Sequence, residues 1–126
     1  MRKILIVAAS LFVLPGMSYA QADQKMVMRC AFPAGTVWDM VADLAAQTVS
    51  DTVVVPNPGG SPDPIISRFQ GRVTQVTDEQ MTFEFRIRGT FNYDAVLDRY
   101  TGGLRTTSLD SGLSAVASCQ RQQKQF

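Results

Sequence analysis

Residues 81–88 read MTFEFRIR, and their pattern decides the fold class. Apolar side chains at every second position alternate strictly with polar or charged ones. This alternation is typical of a β-strand with one face in a core and the other in water. Residues 91–97, FNYDAVL, carry a second alternating pattern after a short turn around Gly89. The two stretches therefore predict an antiparallel hairpin.

Further strands are predicted on both sides of this hairpin. Turns marked by glycine, proline or aspartate separate short runs of apolar and β-branched residues. The predicted strands are Met26–Phe32, Thr52–Val55, Ile65–Phe69, Arg72–Thr77, Leu104–Leu109 and Leu113–Cys119. Successive strands joined by short turns indicate an antiparallel meander. We therefore expect a mainly β fold of about seven or eight strands, a small antiparallel barrel or sandwich, and the pattern leaves both architectures open.

One segment favours a helix instead. Apolar residues recur there at helical spacing, and Thr36 with Asp39 resembles a capping box. The residues at that spacing are Val37, Met40, Val41, Leu44 and Thr48. We predict one short helix over Val37–Gln47. The alternative is an irregular excursion with Trp38 folded over the core.

The two cysteines, Cys30 and Cys119, lie near opposite ends of the predicted domain. An even number of cysteines in an oxidising compartment indicates a disulfide, and with two cysteines only one pairing exists. Redox pairs are usually spaced C-x-x-C, and a zinc site needs more ligands than this chain offers without histidine. We therefore predict that the disulfide closes the domain by joining its first and last elements.

The N-terminus has the features of a cleavable secretory signal peptide. Basic residues at Arg2 and Lys3 precede the unbroken apolar run Ile4–Leu14, which is too short to cross a bilayer as a helix. Small residues follow, and cleavage after Ala20 is expected, with Ala22 as the alternative site. No cysteine follows either site, which argues against a lipid anchor. We therefore predict a signal peptide over residues 1–20 and a single exported β domain over residues 21–126, in the periplasm or the medium of a bacterium.

Charge and composition limit the partners of the mature chain. Removal of Arg2 and Lys3 from the 12 basic residues leaves a side-chain charge of −1 against the 11 acidic residues. Nucleic-acid binding normally requires a clustered basic face, so no nucleic-acid partner is expected. After signal cleavage no apolar stretch remains that is long enough to span a membrane as a helix.

Few catalytic chemistries are available to this composition. The absence of histidine from the whole chain excludes Ser-His-Asp and Cys-His catalysis and most transition-metal sites. We find no Gly-rich phosphate loop, no cofactor motif and no metal-ligand spacing. The remaining acid/base groups are carboxylates, and the candidates are Asp39, Asp43, Glu84, Asp94 and Asp98. Asp94 and Asp98 are predicted to lie on the outer face of their strand, and Pro56–Pro64 is predicted to be a surface loop.

The segment Tyr93–Leu104, followed by Cys119 on the last strand, resembles the C-terminal hairpin of many small exported proteobacterial proteins of unknown function. The resemblance rests on an aromatic residue, a leucine, the Asp98-Arg99 pair and Thr101-Gly102 before the final strand and cysteine. Its residues form turns and core, so the resemblance implies a fold element and no activity.

Two functions remain as hypotheses. The first is a non-enzymatic periplasmic or secreted module that binds an unidentified protein or small molecule, based on a disulfide-closed β scaffold that lacks catalytic groups. The second is a carboxylate-based hydrolase of cell-wall glycans, which requires two of the candidate carboxyls to face each other across a cleft.

Overall fold

A computed structural model describes residues 25–122, so the predicted signal peptide lies outside the described residues. Eight strands run through the described part of the chain. They are β1 (Lys25–Ala31), β2 (Val37–Asp43), β3 (Thr48–Val55), β4 (Ile65–Val76), β5 (Gln80–Ile87), β6 (Phe91–Asp98), β7 (Gly103–Ser108) and β8 (Ser114–Gln122). Within this range no helix is long and apolar enough to cross a membrane.

The strands form one closed antiparallel barrel. Each strand pairs with the next along the chain, and β1 pairs with β8 to complete the circle. Closure gives every strand two hydrogen-bonded neighbours, so the described sheet has no exposed edge. The barrel settles the choice that the sequence left open between barrel and sandwich.

The interior is filled by the inward side of each alternating pattern. In β5, Met81, Phe83 and Phe85 are buried, whereas the intervening side chains face outward. The same alternation buries Met26, Met28 and Cys30 of β1. The buried polar side chains among the described residues are Asp51 and Thr106.

The predicted helix over Val37–Gln47 is wrong. Residues Val37–Asp43 form β2, and the rest of the segment forms the turn into β3. Trp38, Met40 and Ala42 point into the barrel and are buried. This period of two was present in the sequence beside the helical spacing, and pairing with β1 and β3 selected it because pairing completes the barrel.

The two strands predicted around Gly71 are one strand of 12 residues, β4. β5 runs so close to Gly71 that a side chain at this position would collide with it. The missing side chain lets β4 continue past β5 without interruption. A Cβ atom added at Gly71 would lie 2.5 Å from the Glu84 carbonyl oxygen and 2.5 Å from the Phe85 ring. The glycine therefore marks a close approach of two strands and no turn.

The predicted disulfide is confirmed. Cys30 and Cys119 are bonded, with their Cα atoms 3.9 Å apart, and they are direct partners in the ladder between β1 and β8. The bond therefore lies at the seam where the first strand meets the last.

The meander places alternate turns at the same end of the barrel. One end carries the turn after β1, the proline-rich loop Pro56–Pro64, the turn after β5 and the turn between β7 and β8. The opposite end carries Leu44–Gln47, the turn after β4, and residues 99–102. Any ligand that enters the barrel along its axis must pass one of these two ends.

Candidate functional site

Glu84 and Asp94 are the two candidate carboxylates that the structure brings together. They are direct partners in the ladder between β5 and β6, on the outer face of the barrel. Arg86 lies between them, with its Nη2 atom 2.6 Å from Asp94 Oδ1 and 3.2 Å from Glu84 Oε2. Arg86 thus bridges the two carboxylates, and Arg72 Nε lies 3.8 Å from Glu84 Oε1, on a convex surface where no substrate is enclosed.

The two candidate carboxylates of β2 also have local partners. Arg29 Nε lies 2.8 Å from Asp39 Oδ1 across the ladder between β1 and β2. Asp43 Oδ1 accepts a hydrogen bond from the backbone N–H of Ala46 at 3.1 Å, which stabilises the turn into β3. Ion pairing and turn capping therefore account for both side chains.

Asp98 stabilises the hairpin turn between β6 and β7. Its Oδ1 atom accepts backbone hydrogen bonds from Thr101 at 3.2 Å and Tyr100 at 2.9 Å. These bonds hold the pKa of the Asp98 carboxyl below its ordinary value, because they favour the ionised form. Asp98 and Glu79 line an outer groove of about 590 Å³ near this end of the barrel, and Asp98 is already engaged in the turn.

The concave site with the most apolar lining surface lies at the other end of the barrel, which carries the turn after β1. A cavity of about 500 Å³ opens there, between that turn and the one joining β7 to β8. We call it the aromatic mouth and define it by Phe32, Trp38, Tyr93, Leu113 and Ala115, which all line it. Leu113 stands at the rim and is 73% exposed.

The floor of the aromatic mouth is a cluster of packed rings. The Trp38 ring centroid lies 5.2 Å from that of Phe32, 5.5 Å from Tyr93 and 5.0 Å from Phe91. Most of these contacts are edge-to-face or tilted, the arrangement that aromatic pairs prefer. Trp38 is buried, and its ring forms part of the cavity wall.

Asp51, on β3, is fully buried and points into the barrel. Its ladder partners are Met40 on β2 and Phe69 on β4. Neither carboxyl oxygen has a hydrogen-bond partner within the described residues. Burial raises the pKa of Asp51 from 3.8 to about 8, and the negative charge of Asp39 adds to the shift.

Sequence reasoning missed Asp51, although a signal for it existed. The predicted strand began at Thr52, whereas β3 begins at Thr48. Val49, Asp51 and Val53 alternate with outward residues, so the period of two already placed a carboxyl on the inner face. The loop Pro56–Pro64, predicted to be a surface connection, joins β3 to β4 at the same end as the aromatic mouth.

Neither clustered metal ligands among the described residues nor a known relative indicates what this site binds. Residues 25–122 contain no group of three or more acidic or cysteine side chains that could hold a metal ion. Comparison with protein-family models, curated proteins and solved structures gives no match to this chain.

Proposed function

We propose that this chain is an exported, non-enzymatic binding module whose aromatic mouth takes a small, largely apolar molecule. The observation that carries the proposal is the cavity of about 500 Å³ with packed aromatic rings as its floor. Cavities that hold small molecules commonly measure roughly 300–1,000 Å³ and have mostly apolar walls with few polar groups. Mouths of small closed barrels are a common place for such sites.

The scaffold favours a preformed site. The mouth is bounded by turns between strands that are hydrogen-bonded on both sides, and the disulfide joins β1 to β8. A rigid wall reduces the conformational entropy that binding would otherwise cost. The exposed Leu113 adds apolar surface at the rim, where an entering ligand makes its first contact.

Export to the periplasm or the medium is part of the proposal. It is supported by the signal features of residues 1–20 and by the disulfide, because such bonds persist in oxidising compartments. Glycan hydrolysis receives no comparable support. The five candidate carboxylates are ion-paired or cap turns, and Asp51 is fully buried and therefore closed to a polymeric substrate.

Energy transfer from the single tryptophan tests the proposal. The uncharged fluorescent probe N-phenyl-1-naphthylamine is titrated into the exported protein while the emission of Trp38 is recorded. A probe in the aromatic mouth lies against Trp38, so we expect saturable quenching of the tryptophan with a matching rise in probe emission. Absence of saturable quenching in the folded wild-type protein contradicts the proposal.

Two neighbouring substitutions make the test specific for the mouth. Ala115 is the ladder partner of the inward-facing Thr106, so Ala115→Trp fills the cavity. Val116 is the partner of the exposed Arg105, so Val116→Trp adds the same ring to the outer face. Because both variants contain a second tryptophan, binding is read from probe emission excited directly. We expect Ala115→Trp to weaken binding at least tenfold and Val116→Trp to leave it unchanged; equal effects would place the probe elsewhere.

A further inference from the structure

We propose that the ligand of the aromatic mouth is an amine, whose ammonium group pairs with the carboxylate of Asp51 inside the barrel. This inference rests on the proposed function and names the chemical class of its ligand. It starts from a group that the fold leaves without a role: a fully buried carboxyl with no hydrogen-bond partner within the described residues. Such a group destabilises a folded chain unless something binds it, so its presence needs a reason.

The strand register places Asp51 one layer below the floor of the mouth. Asp51 is opposite Met40 in the ladder between β2 and β3, and Trp38 lies two residues from Met40 on the same inner face. Two residues along a strand span roughly 7 Å. An apolar body held at Trp38 therefore reaches Asp51 with an arm of about three or four atoms.

Phe69 is the aromatic neighbour of Asp51 in the sheet. It is the ladder partner of Asp51 on β4 and stacks on Phe91, with ring centroids 4.1 Å apart. Although it faces inward, Phe69 is only partly buried. In this proposal the Phe69 ring leaves its stack when the ligand binds, and the amine takes the space beside the carboxylate.

The charges around Asp51 favour a cation over an anion. Asp39 lies on the outer face of β2 and contributes a negative field at Asp51, although it is paired with Arg29. Arg68 lies on the outer face of β4, on the side of that strand away from Asp51. The inward-facing neighbours of Asp51 on the three strands carry no charge: Met40, Val49, Val53 and Phe69.

The aromatic rings also suit an ammonium group. A cation within about 6 Å of the face of a tryptophan, tyrosine or phenylalanine ring is attracted by the electron density of that face. Trp38 and Tyr93 line the opening and Phe91 packs against both, so the ligand enters over a cluster of rings. The faces of these rings repel an anion, so the rings and Asp51 favour the same charge.

Pairing is coupled to a proton. Burial keeps Asp51 protonated at neutral pH in the ligand-free barrel, with a pKa of about 8. When the ammonium group binds, the carboxyl loses this proton to the buffer and the two charges pair. Amine affinity should therefore rise about tenfold per pH unit below pH 8 and level off above it.

The test uses three compounds of one shape that compete with N-phenyl-1-naphthylamine. They are 3-phenylpropylamine, 3-phenylpropanol and 3-phenylpropionate, which differ only in the charge at the end of the arm. At pH 8.5 we expect the amine to displace the probe at a concentration at least tenfold below that of the alcohol, with the anion weakest. The amine advantage should shrink as the pH falls from 8 to 6.

Substitution of Asp51 separates this inference from the proposed function. Asp51→Asn keeps the shape of the side chain and removes the charge, whereas Asp94→Asn removes a surface charge as a matched control. We expect Asp51→Asn to bind the probe normally and to treat amine and alcohol alike, and Asp94→Asn to behave as wild type. Probe binding without an amine preference in the wild type, or a preference that survives in Asp51→Asn, overturns this inference alone. Failure of the probe to bind overturns the proposed function as well.

Discussion

Cys30 on β1 and Cys119 on β8 are direct ladder partners, so the disulfide crosses the seam that closes the barrel. Backbone pairing and the covalent bond thus hold the same two strands together. The bond links residues 89 positions apart, which removes a large loop from the freedom of the unfolded chain.

Replacement of both cysteines by alanine should lower the free energy of unfolding by about 4 to 5 kcal/mol, because a loop of this length loses that much closure entropy when it is cross-linked. Urea unfolding of the oxidised protein and the double variant measures the difference. The wild type under reductant serves as the control and should match the variant. A difference below about 1 kcal/mol would show that the bond contributes little to stability.

Asp51 should make the barrel less stable as the pH rises. Below about pH 4 its carboxyl is protonated in both the folded and the unfolded chain. Between about pH 4 and 8 the unfolded chain ionises while the folded chain keeps the proton, so ionisation favours unfolding by about 1.4 kcal/mol per pH unit. Above pH 8 the slope due to this group ends, since both states are ionised.

The measurement compares wild type with Asp51→Leu by chemical unfolding from pH 4 to pH 9. Asp98 acts in the opposite direction, because its lowered pKa adds stability that is lost only when the pH falls. Wild type and variant share this contribution, so it cancels when the two are compared. We expect the variant to gain several kcal/mol over wild type between pH 4 and pH 8 and nothing further above it. A constant difference across the range would mean that Asp51 is ionised throughout.

Gly71→Ala should destabilise the barrel by about 1 to 3 kcal/mol, because its new methyl group would overlap the backbone of Glu84 and the ring of Phe85. The neighbouring exposed Gln70 supplies a control, since Gln70→Ala points outward. Thermal unfolding of both variants checks the prediction. A Gly71→Ala protein as stable as Gln70→Ala would show that β4 and β5 can separate at this point.

The sequence predicted most of this fold because strands with one solvated face carry their own pattern. Residues 81–88 and 91–97 form β5 and β6 where the alternation indicated them, and the disulfide followed from two cysteines. The prediction of a helix over Val37–Gln47 was wrong because Val37–Asp43 fits both the helical spacing and the alternation of a strand. Only pairing with β1 and β3 decides between them, and the periodicity of this segment by itself does not show that pairing.

The candidate site was less accessible to sequence reasoning. The structure gives each of the five carboxylates singled out in the sequence a local partner in an ion pair or a turn. The aromatic mouth draws Phe32, Trp38 and Tyr93 from three different strands or turns, so no spacing along the chain reveals it. Asp51 belongs to an inner face whose strand began four residues earlier than predicted.

Export should remove the signal peptide when the full chain is expressed in a bacterium with its own leader. We expect the periplasmic or secreted product to begin at Gln21, or at Asp23 if cleavage follows Ala22. N-terminal sequencing of the recovered protein distinguishes the two sites. Recovery of the intact chain from the cytoplasm, with Met1 in place and both thiols free, would contradict export.

The most direct test of the binding site is a map of amide chemical shifts in the labelled exported domain during titration with N-phenyl-1-naphthylamine. We expect saturable shifts concentrated at the aromatic mouth, in Phe32–Thr36 and Ser111–Ala115. Residues Asp98–Gly103 at the opposite end serve as an internal control and should stay unchanged. Shifts concentrated at that opposite end, or no saturable shifts in a folded protein, would contradict a binding site at the aromatic mouth.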